Sequence, residues 1–427
     1  MKKKILYAAA LSVGILGCSV PAFATEEINK LEMQEIVQEK ISEKPETPET
    51  ISAGWHQDEK GWTYVGEDGA MKYGWEKING VYYNFGEDGV MLTGWQFLGG
   101  DWYYLGKEND GAMKCGWEKI NGVYYNFGKD GAMLTGWQSL GGHWYYLGAE
   151  NDGSMEVGWA HIDGHWYYFG AENDGTMHYG WEKINGVYYN FGKDGAMLTG
   201  WQSLGGDWYY LGKENDGAMK YGWEQVDGVY YWLGEDGIMR TGLQHINEDV
   251  YMLKDNGAMA ANENYNFNGG KLPIGEDGRV EKQTANVIKK AYHQLNQVGW
   301  DLRKAFDWSA EMEYYRMQNY GIGPEKGDVH SVWYGNYGFD NEKGNCYVMA
   351  STFCYMARLL GYETYYVEGQ VPLAGGGMGP HGWCEIVMDG TTYVFDPDFT
   401  NNTGRNGFQI YYGMSGTWRY SNYQRVE

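Results

Sequence analysis

The stretch GWQFLGGDWYYLGKENDGAMKCGW, residues 94–117, decides the fold of the first two thirds of the chain. In an extended strand successive side chains point to opposite faces, so Trp102 and Tyr104 share one face while Tyr103 and Leu105 share the other. Short aromatic runs bounded by Asp-Gly or Asn-Gly turns are typical of β-hairpins. A lone hairpin is barely stable in water, so these faces must pack against neighbouring hairpins.

The same pattern recurs along residues 54–268. A Gly-Trp pair appears nine times at steps of 20 or 22 residues, and a tenth unit has Leu243 in the Trp position. A second aromatic residue follows each tryptophan by seven positions, and a Met closes each unit, from Met71 to Met259. Repeats of this length predict a solenoid of about ten stacked hairpins. The two extra residues of the longer units lie in the Lys107–Gly111 turn, where they lengthen a loop without disturbing the stack.

Composition agrees with a repeated aromatic unit. The 427 residues include 66 Gly, 39 Tyr and 20 Trp, more than an ordinary globular core requires. The net charge of −24 argues against nucleic acid as a partner, because phosphate backbones attract basic surfaces. The acidity is compatible with a cationic ligand, or it only keeps a surface protein soluble.

The N-terminus predicts export. Lys2 to Lys4 precede a short apolar run, and Ala22-Phe23-Ala24 ends an A-x-A cleavage pattern, so residues 1–24 form a signal peptide. An alternative is lipidation at Cys18, which follows Leu16-Gly17. Residues 25–53 are an acidic linker rich in Glu, Lys, Pro and Thr. No transmembrane segment is expected, so the chain should be secreted and held at the cell surface.

The Gly-Trp, Trp-Tyr-Tyr and Gly-x-Met series resembles the choline-binding, or cell-wall-binding, repeats of Gram-positive surface proteins, and it is similar to glucan-binding repeats. The resemblance implies cell-wall choline (teichoic acid) or carbohydrate as the ligand. It also implies cages made by the tryptophan, the aromatic residue seven positions on, and the residue nine positions after the next tryptophan. Cation–π attraction suits quaternary ammonium to such a cage. Carried onto this sequence, the complete cages are Trp75/Tyr82/Tyr104, Trp117/Tyr124/Tyr146, Trp137/Trp144/Tyr168, Trp181/Tyr188/Tyr210 and Trp201/Trp208/Trp232. The alternative for these rings, favoured for the Tyr eight positions on, is that they only join one hairpin to the next.

The sequence changes character after residue 268. Residues 269–283 are predicted to be a connector, and residues 284–427 an α+β domain large enough for its own core. Helices are expected over 285–295, 307–320 and part of 344–361, followed by strands near 364–369, 383–388 and 391–395. The chain is therefore multidomain, with a β-hairpin solenoid followed by an α+β domain.

Three residues of this domain point to thiol chemistry. Cys346 directly precedes a predicted helix, whose N-terminal N–H groups and dipole favour a thiolate. His381 and Asp396 lie on two strands joined by the Asp389-Gly390 turn, and that pairing can place them side by side. A carboxylate there would orient the imidazole and support its positive charge.

This order of Cys346, His381-Gly382-Trp383 and Asp396-Pro397 resembles the transglutaminase-like superfamily of papain-type thiol enzymes. The resemblance implies that Cys346 is the nucleophile, His381 the base and Asp396 its orienting partner. The Cys346 N–H is expected to be one oxyanion donor, with Trp333, Tyr334 or Tyr337 as a candidate for another. Such chemistry needs no metal or cofactor. Cys354 and Cys384 are expected to be buried thiols, with a bridge between them as the alternative.

Two functions remain open at this point. The first is a wall-tethered thiol enzyme acting on amide bonds of a peptide or protein, as a peptidase if water accepts the acyl group or a transglutaminase if an amine does. The second is a non-enzymatic adhesin or glycan-binding protein with a vestigial thiol fold. The presence of all three catalytic-type residues favours the enzyme.

Overall fold

A computed structural model describes residues 51–149, 151–171, 173–414 and 420–426. The predicted signal peptide, Cys18 and the linker up to residue 50 lie outside the described residues. No helix in the described ranges is long and apolar enough to cross a membrane. The chain divides into two compact units, Met1–Leu92 and Thr93–Glu427.

The repeats form antiparallel two-stranded hairpins in both units, which confirms the predicted hairpin array. The first unit contains the hairpins β1 (Gly54–Gln57) with β2 (Trp62–Val65) and β3 (Gly74–Ile78) with β4 (Val81–Phe85). In the second unit the paired strands are β5 (Gly94–Leu98) and β6 (Asp101–Leu105), β7 (Gly116–Ile120) and β8 (Val123–Phe127), β9 (Gly136–Leu140) and β10 (His143–Leu147), β11 (Gly158–Ile162) and β12 (His165–Phe169), β13 (Gly180–Ile184) and β14 (Val187–Phe191), β15 (Trp201–Leu204) and β16 (Asp207–Tyr210), β17 (Gly222–Val226) and β18 (Val229–Leu233), β19 (Gly242–Ile246) and β20 (Asp249–Leu253), and β21 (Glu263–Phe267) and β22 (Gly270–Ile274).

Each hairpin turns on two residues with positive φ. Asn79 and Gly80 have φ of 51° and 88°, the conformation of the type I′ turn that matches the twist of the flanking strands. The Asp-Gly pair has a different place: Gly69 N–H donates to the Gly66 carbonyl at 2.9 Å, and the chain then returns to bridge Met71 with Val65. One unit therefore contains a hairpin followed by a loop that ends on its methionine.

The methionines link each hairpin to the one before it. The Met155 N–H donates to the Tyr124 carbonyl at 2.8 Å, and Met177 donates in the same way to Trp144. The glycine of each Asp-Gly turn lies against the preceding methionine: a Cβ on Gly131, whose φ is 83°, would lie 2.3 Å from the Met113 sulfur. Neighbouring units thus interlock through main-chain bonds and close contacts, as expected of a solenoid.

An eleventh hairpin crosses the boundary predicted at residue 268. Strands β21 and β22 enclose a turn at Asn268 and Gly269, so β22 occupies part of the predicted connector. This turn packs on the following domain: the Thr364 N–H donates to the Asn268 carbonyl at 2.8 Å, and the Asn268 amide donates to the Arg358 carbonyl at 2.8 Å. A Cβ on Gly270 would lie 2.4 Å from the Arg358 guanidinium. The glycines taken for a flexible connector permit this close approach.

The C-terminal domain is α+β, as predicted. Its elements are α1 (Lys282–Val298), α2 (Leu302–Ala310), β23 (Glu313–Tyr314), a 3-10 turn (Met317–Tyr320), α3 (His330–Asn341), β24 (Lys343–Gly344), α4 (Cys346–Leu359), β25 (Glu363–Pro372), β26 (Met378–Met388), β27 (Thr391–Phe395), α5 (Pro397–Thr403) and β28 (Ser421–Arg425). The sheet is antiparallel with the order β27-β26-β25-β28, and α4 is almost entirely buried against it. One core joins the last hairpins to this domain through Leu272, Ile274, Val287 and Phe353.

Two helices differ from the sequence prediction. The helix expected over 307–320 is wrong, because α2 begins at Leu302, where the Asp301 carboxylate caps the Lys304 N–H at 2.9 Å, and ends at Ala310. Helix α3 was not predicted, because Gly335 and Gly338 lower helix propensity. A Cβ at either glycine would lie about 2.6 Å or less from Val287 or Thr352 side chains, so tight packing requires them.

Candidate functional site

Cys346 is the first residue of α4. The Asn345 side chain caps this helix by accepting the Val348 N–H at 3.3 Å, and Gly344 lets the chain enter the helix against the Val348 side chain. Cys346 is 8% exposed. Its sulfur therefore lies at the N-terminal end of a buried helix, where the first main-chain N–H groups have no helical acceptor and can bind an anion.

His381 and Asp396 lie side by side, as their strands predicted. The register pairs Cys384 with Phe395, so His381 on β26 and the residue just beyond β27 reach the same end of the sheet. His381 Nε2 and Asp396 Oδ2 are 2.8 Å apart, and both side chains are buried. Asp396 is held from two further sides, because Oδ2 accepts the Tyr420 hydroxyl at 2.9 Å and Oδ1 accepts the Phe399 N–H at 3.0 Å.

The imidazole of His381 bridges Asp396 and Cys346. Burial opposes a charged imidazole, but the Asp396 carboxylate, the Cys346 sulfur and hydrogen bonds to both outweigh it and raise the pKa of His381 well above its usual range. Because Asp396 holds Nε2, Nδ1 is the nitrogen left to face the thiol. A proton on this ring is thus favoured between an acid and a sulfur, the arrangement that an ion-paired thiolate requires.

Gly382 brings the strand and the helix together. A Cβ there would lie 2.7 Å from Tyr347 Cδ1 and 3.2 Å from its Cα. Gly382 follows His381, and Tyr347 follows Cys346. The absence of a side chain at this position is therefore what allows the histidine strand to run against the first turn of α4.

Asp398 is a second acid beside His381 that sequence reasoning missed. Its Oδ2 lies 3.7 Å from His381 Nδ1, and its Oδ1 accepts the Asn402 amide at 2.6 Å. Burial and the nearby Asp396 raise the pKa of Asp398 to about 6, against the lowering effects of His381 and Asn402. The signal was the Asp-Pro-Asp run: Asp396 caps α5, so an acid two residues later lies on the same first turn.

His381, Asp396 and Asp398 offer donor atoms within 4.8 Å of one another, a grouping that could in principle hold a metal ion. Asp396 already accepts hydrogen bonds from His381, Tyr420 and the Phe399 N–H. This network fits acid–base chemistry with the adjacent thiol.

Tyrosines line the thiol on the α3 side. The rings of Tyr334 and Tyr347 stack at 5.2 Å, and both side chains interact with Cys346 and with Glu368. Burial, with these negative neighbours, raises the pKa of Tyr334 to about 12, so its hydroxyl remains a donor. Of the three residues predicted upstream as oxyanion donors, Tyr334 is the one beside the thiol.

The other two upstream candidates lie elsewhere. Trp333 and Tyr337 stack on each other at 5.6 Å and line a separate cavity of about 720 Å³. Tyr314 was not predicted, yet it interacts with Asp398, Cys346 and His381 and is 41% exposed. The β23–β24 pairing of Tyr314 with Gly344 places it there.

The remaining cysteines are free thiols in the structure. Cys354 and Cys384 are fully buried, and Cys384 donates to the Ala350 carbonyl at 3.0 Å. The bridge considered for this pair is not formed. Cys115 is exposed on the repeat array.

In the array the structure pairs the rings differently from the predicted cages. The aromatic residue nine positions after a tryptophan packs on the tryptophan of its own hairpin, at 5.1 or 5.2 Å between ring centroids, in the pairs Tyr104–Trp95, Tyr146–Trp137, Tyr168–Trp159, Tyr210–Trp201 and Trp232–Trp223. The ring that contacts the preceding tryptophan is the tyrosine eight positions on, at 4.8 to 5.1 Å, in the pairs Tyr145–Trp117, Tyr167–Trp137, Tyr209–Trp181 and Tyr231–Trp201. Strand alternation explains the shift: residues at odd and even offsets lie on opposite faces, and the even face meets the preceding hairpin.

Trp208 also differs from its predicted place as a packed wall of the Trp201 cage. The rings that pack on Trp201 are Tyr210 and Tyr231, and within the described ranges the Trp208 ring makes no ring contact with Trp201. The register pairs Trp208 with Ser203, and its side chain is 47% exposed. Trp208 is thus the diagonal neighbour of Trp201 in the hairpin, and diagonal positions lie about 7–8 Å apart, so contact depends on how the two rings tilt. Here Trp208 is an exposed ring beside Trp201 rather than a ring packed on it.

Family models match both parts of the chain. The choline-binding repeat model matches residues 72–115, 114–157 and 178–221, and the cell wall binding repeat model matches residues 157–177 and 222–239. The transglutaminase-like superfamily model matches residues 297–397. The array therefore consists of choline-binding and cell wall binding repeats, and the domain that contains Cys346, His381 and Asp396 is transglutaminase-like.

Solved structures of Streptococcus pneumoniae proteins align with about half of the chain. CbpJ is 24% identical and aligns with 53% of this chain and 100% of its own, with a TM-score of 0.37. Choline binding protein F, solved in the presence of a peptidoglycan analogue, is 28% identical over 55% of this chain and 100% of its own, with a TM-score of 0.36. The modular autolysin LytC is 25% identical over 49% of this chain and 48% of its own, with a TM-score of 0.33. No curated protein sequence matches the chain.

Proposed function

We propose that this chain, which joins choline-binding repeats to a transglutaminase-like domain, is a secreted, surface-attached thiol enzyme that acts on amide bonds of a peptide or protein. The observation that carries the proposal is the position of His381, whose ring contacts the buried carboxylate of Asp396 on one side and the thiol of Cys346 on the other. The repeats are proposed to hold the enzyme at wall choline (teichoic acid) or glycan.

In the first half-reaction the Cys346 sulfur attacks the amide carbon while His381 holds the thiol proton. The developing oxyanion is proposed to accept the Cys346 N–H and the Tyr334 hydroxyl. The carbon–nitrogen bond then breaks as the His381 imidazolium gives its proton to the leaving amine, which produces a thioester on Cys346. Asp396 keeps the ring oriented and supports its charge throughout.

In the second half-reaction an acceptor attacks the thioester. His381 removes the acceptor's proton and returns it to the sulfur as the carbon–sulfur bond breaks. Water as acceptor yields a carboxylic acid, and a primary amine yields a new amide. The exposed ring of Tyr314 beside Asp398 and His381 lies where an acceptor would enter.

Mass spectrometry on the full chain tests the enzyme. A Gln-containing protein is incubated with the chain, with and without a labelled primary amine, in a Cys115→Ser background that removes the exposed thiol. Amine incorporation identifies a transglutaminase, and cleavage or deamidation identifies a hydrolase. Both should vanish in Cys346→Ala. A chain that turns over no amide and forms no thioester at Cys346 would instead be the non-enzymatic surface protein.

Retention on choline–agarose tests the anchor. Retention followed by elution with free choline supports choline as the ligand. Elution by a glucan but not by choline assigns the array to carbohydrate.

A further inference from the structure

One position divides the hairpins into two kinds. Two residues after the Gly-Trp tryptophan, three hairpins carry a lysine: Lys77 on β3, Lys119 on β7 and Lys183 on β13. The other hairpins have an uncharged residue or a histidine there. We call the first kind lysine hairpins (β3–β4, β7–β8 and β13–β14).

In each lysine hairpin the ammonium lies over an aromatic ring of the same hairpin. The register places Lys119 directly opposite Tyr124, and Nζ is 4.9 Å from the ring centroid. Lys183 over Tyr188 and Lys77 over Tyr82 repeat this contact at 4.9 and 5.0 Å. Lys119 is fixed further because Nζ donates to Asn173 Oδ1 at 3.0 Å. The ring seven positions after the tryptophan is thus already covered by a cation.

The lysine hairpins also assemble their rings less completely. Opposite Trp117 and Trp181 stand the buried amides Asn126 and Asn190 instead of a ring. Each of these tryptophans is 38% exposed and contacts one tyrosine of the following hairpin, at 5.0 Å for Trp117 and 5.1 Å for Trp181.

The hairpin β9–β10 shows the contrasting arrangement. Trp137 has Trp144 at 6.5 Å, Tyr146 at 5.1 Å and Tyr167 at 4.8 Å, and the residue opposite Trp144 is Ser139. Hairpins β5–β6 and β11–β12 gather the same three kinds of ring around Trp95 and Trp159.

The hairpin β17–β18 provides an internal comparison. Tyr230 occupies the same position as Tyr124, but Gln225 stands where the lysine would be. Here Trp223 lies 6.5 Å from Tyr230, 5.2 Å from Trp232 and 4.9 Å from Tyr251. Without the lysine, a tyrosine at this position joins the ring cluster.

We propose that Lys77, Lys119 and Lys183 are built-in cations that close their own hairpins to quaternary ammonium, so that choline binds the hairpins that lack a lysine. The inference rests on the proposed binding of choline by the repeats. It assigns the open sites to three rings: the tryptophan, the ring seven positions on, and the tyrosine eight positions after the next tryptophan. Trp137, Trp144 and Tyr167 form one such site.

The closure has two physical causes. The lysine ammonium takes the cation–π attraction that a ligand would otherwise gain from the same ring face. A second cation brought within about 4 Å of it also meets charge repulsion. Together these weaken choline binding at a lysine hairpin by roughly tenfold.

Isothermal titration of the full chain with choline chloride tests the closure. Lys77, Lys119 and Lys183 are replaced together by Met, which keeps the length and removes the charge, and in a second variant by Arg, which keeps the charge. The Met variant should gain choline sites relative to the wild-type chain, up to one per lysine. The Arg variant and a Lys129→Met control, at an exposed turn, should match the wild type.

The failures are distinguishable. A wild-type chain that binds choline, with a Met variant of unchanged stoichiometry and affinity, overturns the closure and leaves the anchor standing. Absence of choline binding in every variant overturns both the choline anchor and the closure. A gain of sites in the Arg variant equal to that in the Met variant shows that the charge is not the cause.

Discussion

The repeat array and the thiol domain build their sites over very different distances along the chain. Trp137, Trp144 and Tyr167 come from two consecutive hairpins, and each contact follows from strand alternation and stacking. The thiol site joins Cys346 on α4, His381 on β26, Asp396 after β27 and Tyr420 near the C-terminus. A site repeated many times tolerates the loss of one copy, whereas a site assembled once fails with any member. The variants below are chosen to break or sharpen that contrast.

Loss of the nucleophile is expected to have the largest effect. Cys346→Ala should lower amide turnover by roughly 10⁴-fold or more, because no other group forms the thioester. Choline–agarose retention should not change, since the array is intact. The rate of amine incorporation and the eluting choline concentration measure the two properties. Residual turnover near the wild-type rate would remove Cys346 from the mechanism.

Asp396→Asn comes next. The amide still caps the Phe399 N–H but no longer carries the charge that raises the pKa of His381, so the rate should fall by roughly 10²- to 10⁴-fold. The alkaline limb of the pH–rate profile should also move to lower pH, because the imidazolium loses its proton more easily. Tyr420→Phe removes one hydroxyl contact and should have a smaller effect. An unshifted profile would contradict the role given to Asp396.

Asp398 predicts a pH-dependent stability of the domain. Its folded-state pKa of about 6 lies above the model-compound value of 3.8, so the folded state holds this proton more tightly than the unfolded state. The contribution is fully present below about pH 4 and is lost as the pH rises to about 6, by up to about 3 kcal/mol. Asp398→Asn should therefore match the wild type at pH 4 and exceed its unfolding free energy at pH 7. Urea titrations at both pH values measure this difference, and a variant less stable than the wild type at pH 7 would contradict it.

Gly382→Ala tests the close approach of strand and helix. The added methyl would meet Tyr347, so the domain should lose about 1–3 kcal/mol of unfolding free energy and part of its turnover. Gly375→Ala is the matched control, because its φ is ordinary and a Cβ there would meet open space. Thermal unfolding and steady-state rates compare the two. Equal effects at both positions would show that the contact with Tyr347 does not position His381.

The smallest effect is expected in the array. Tyr167→Leu removes one ring from the site at Trp137, so choline–agarose elution should shift only slightly, because the other open sites still act together. Tyr168→Leu should leave ligand binding at Trp137 unchanged, since Tyr168 packs on Trp159 in its own hairpin. Titration of the two variants separates these outcomes. A loss in Tyr168→Leu alone would restore the cage originally predicted from the sequence.

Local pattern was enough to predict much of the array and part of the thiol site. Spacing predicted the hairpins, and the Asp389-Gly390 turn predicted that His381 and Asp396 would meet. The sequence could not show that Tyr167 rather than Tyr168 reaches Trp137, because that depends on which face of one hairpin meets the next. It also could not show that Tyr420 reaches Asp396 across 24 residues, or that two glycines in α3 mark tight packing rather than a loop.

The turn at Asn268 gives the molecule a mechanical property. It is bonded to Thr364, near the first residue of β25, and to Arg358, near the C-terminal end of α4. Tension on an array fastened to a cell wall therefore enters the enzyme at one end of the helix whose other end carries Cys346. The same array that fixes the enzyme in place also couples wall strain to the helix that positions the nucleophile.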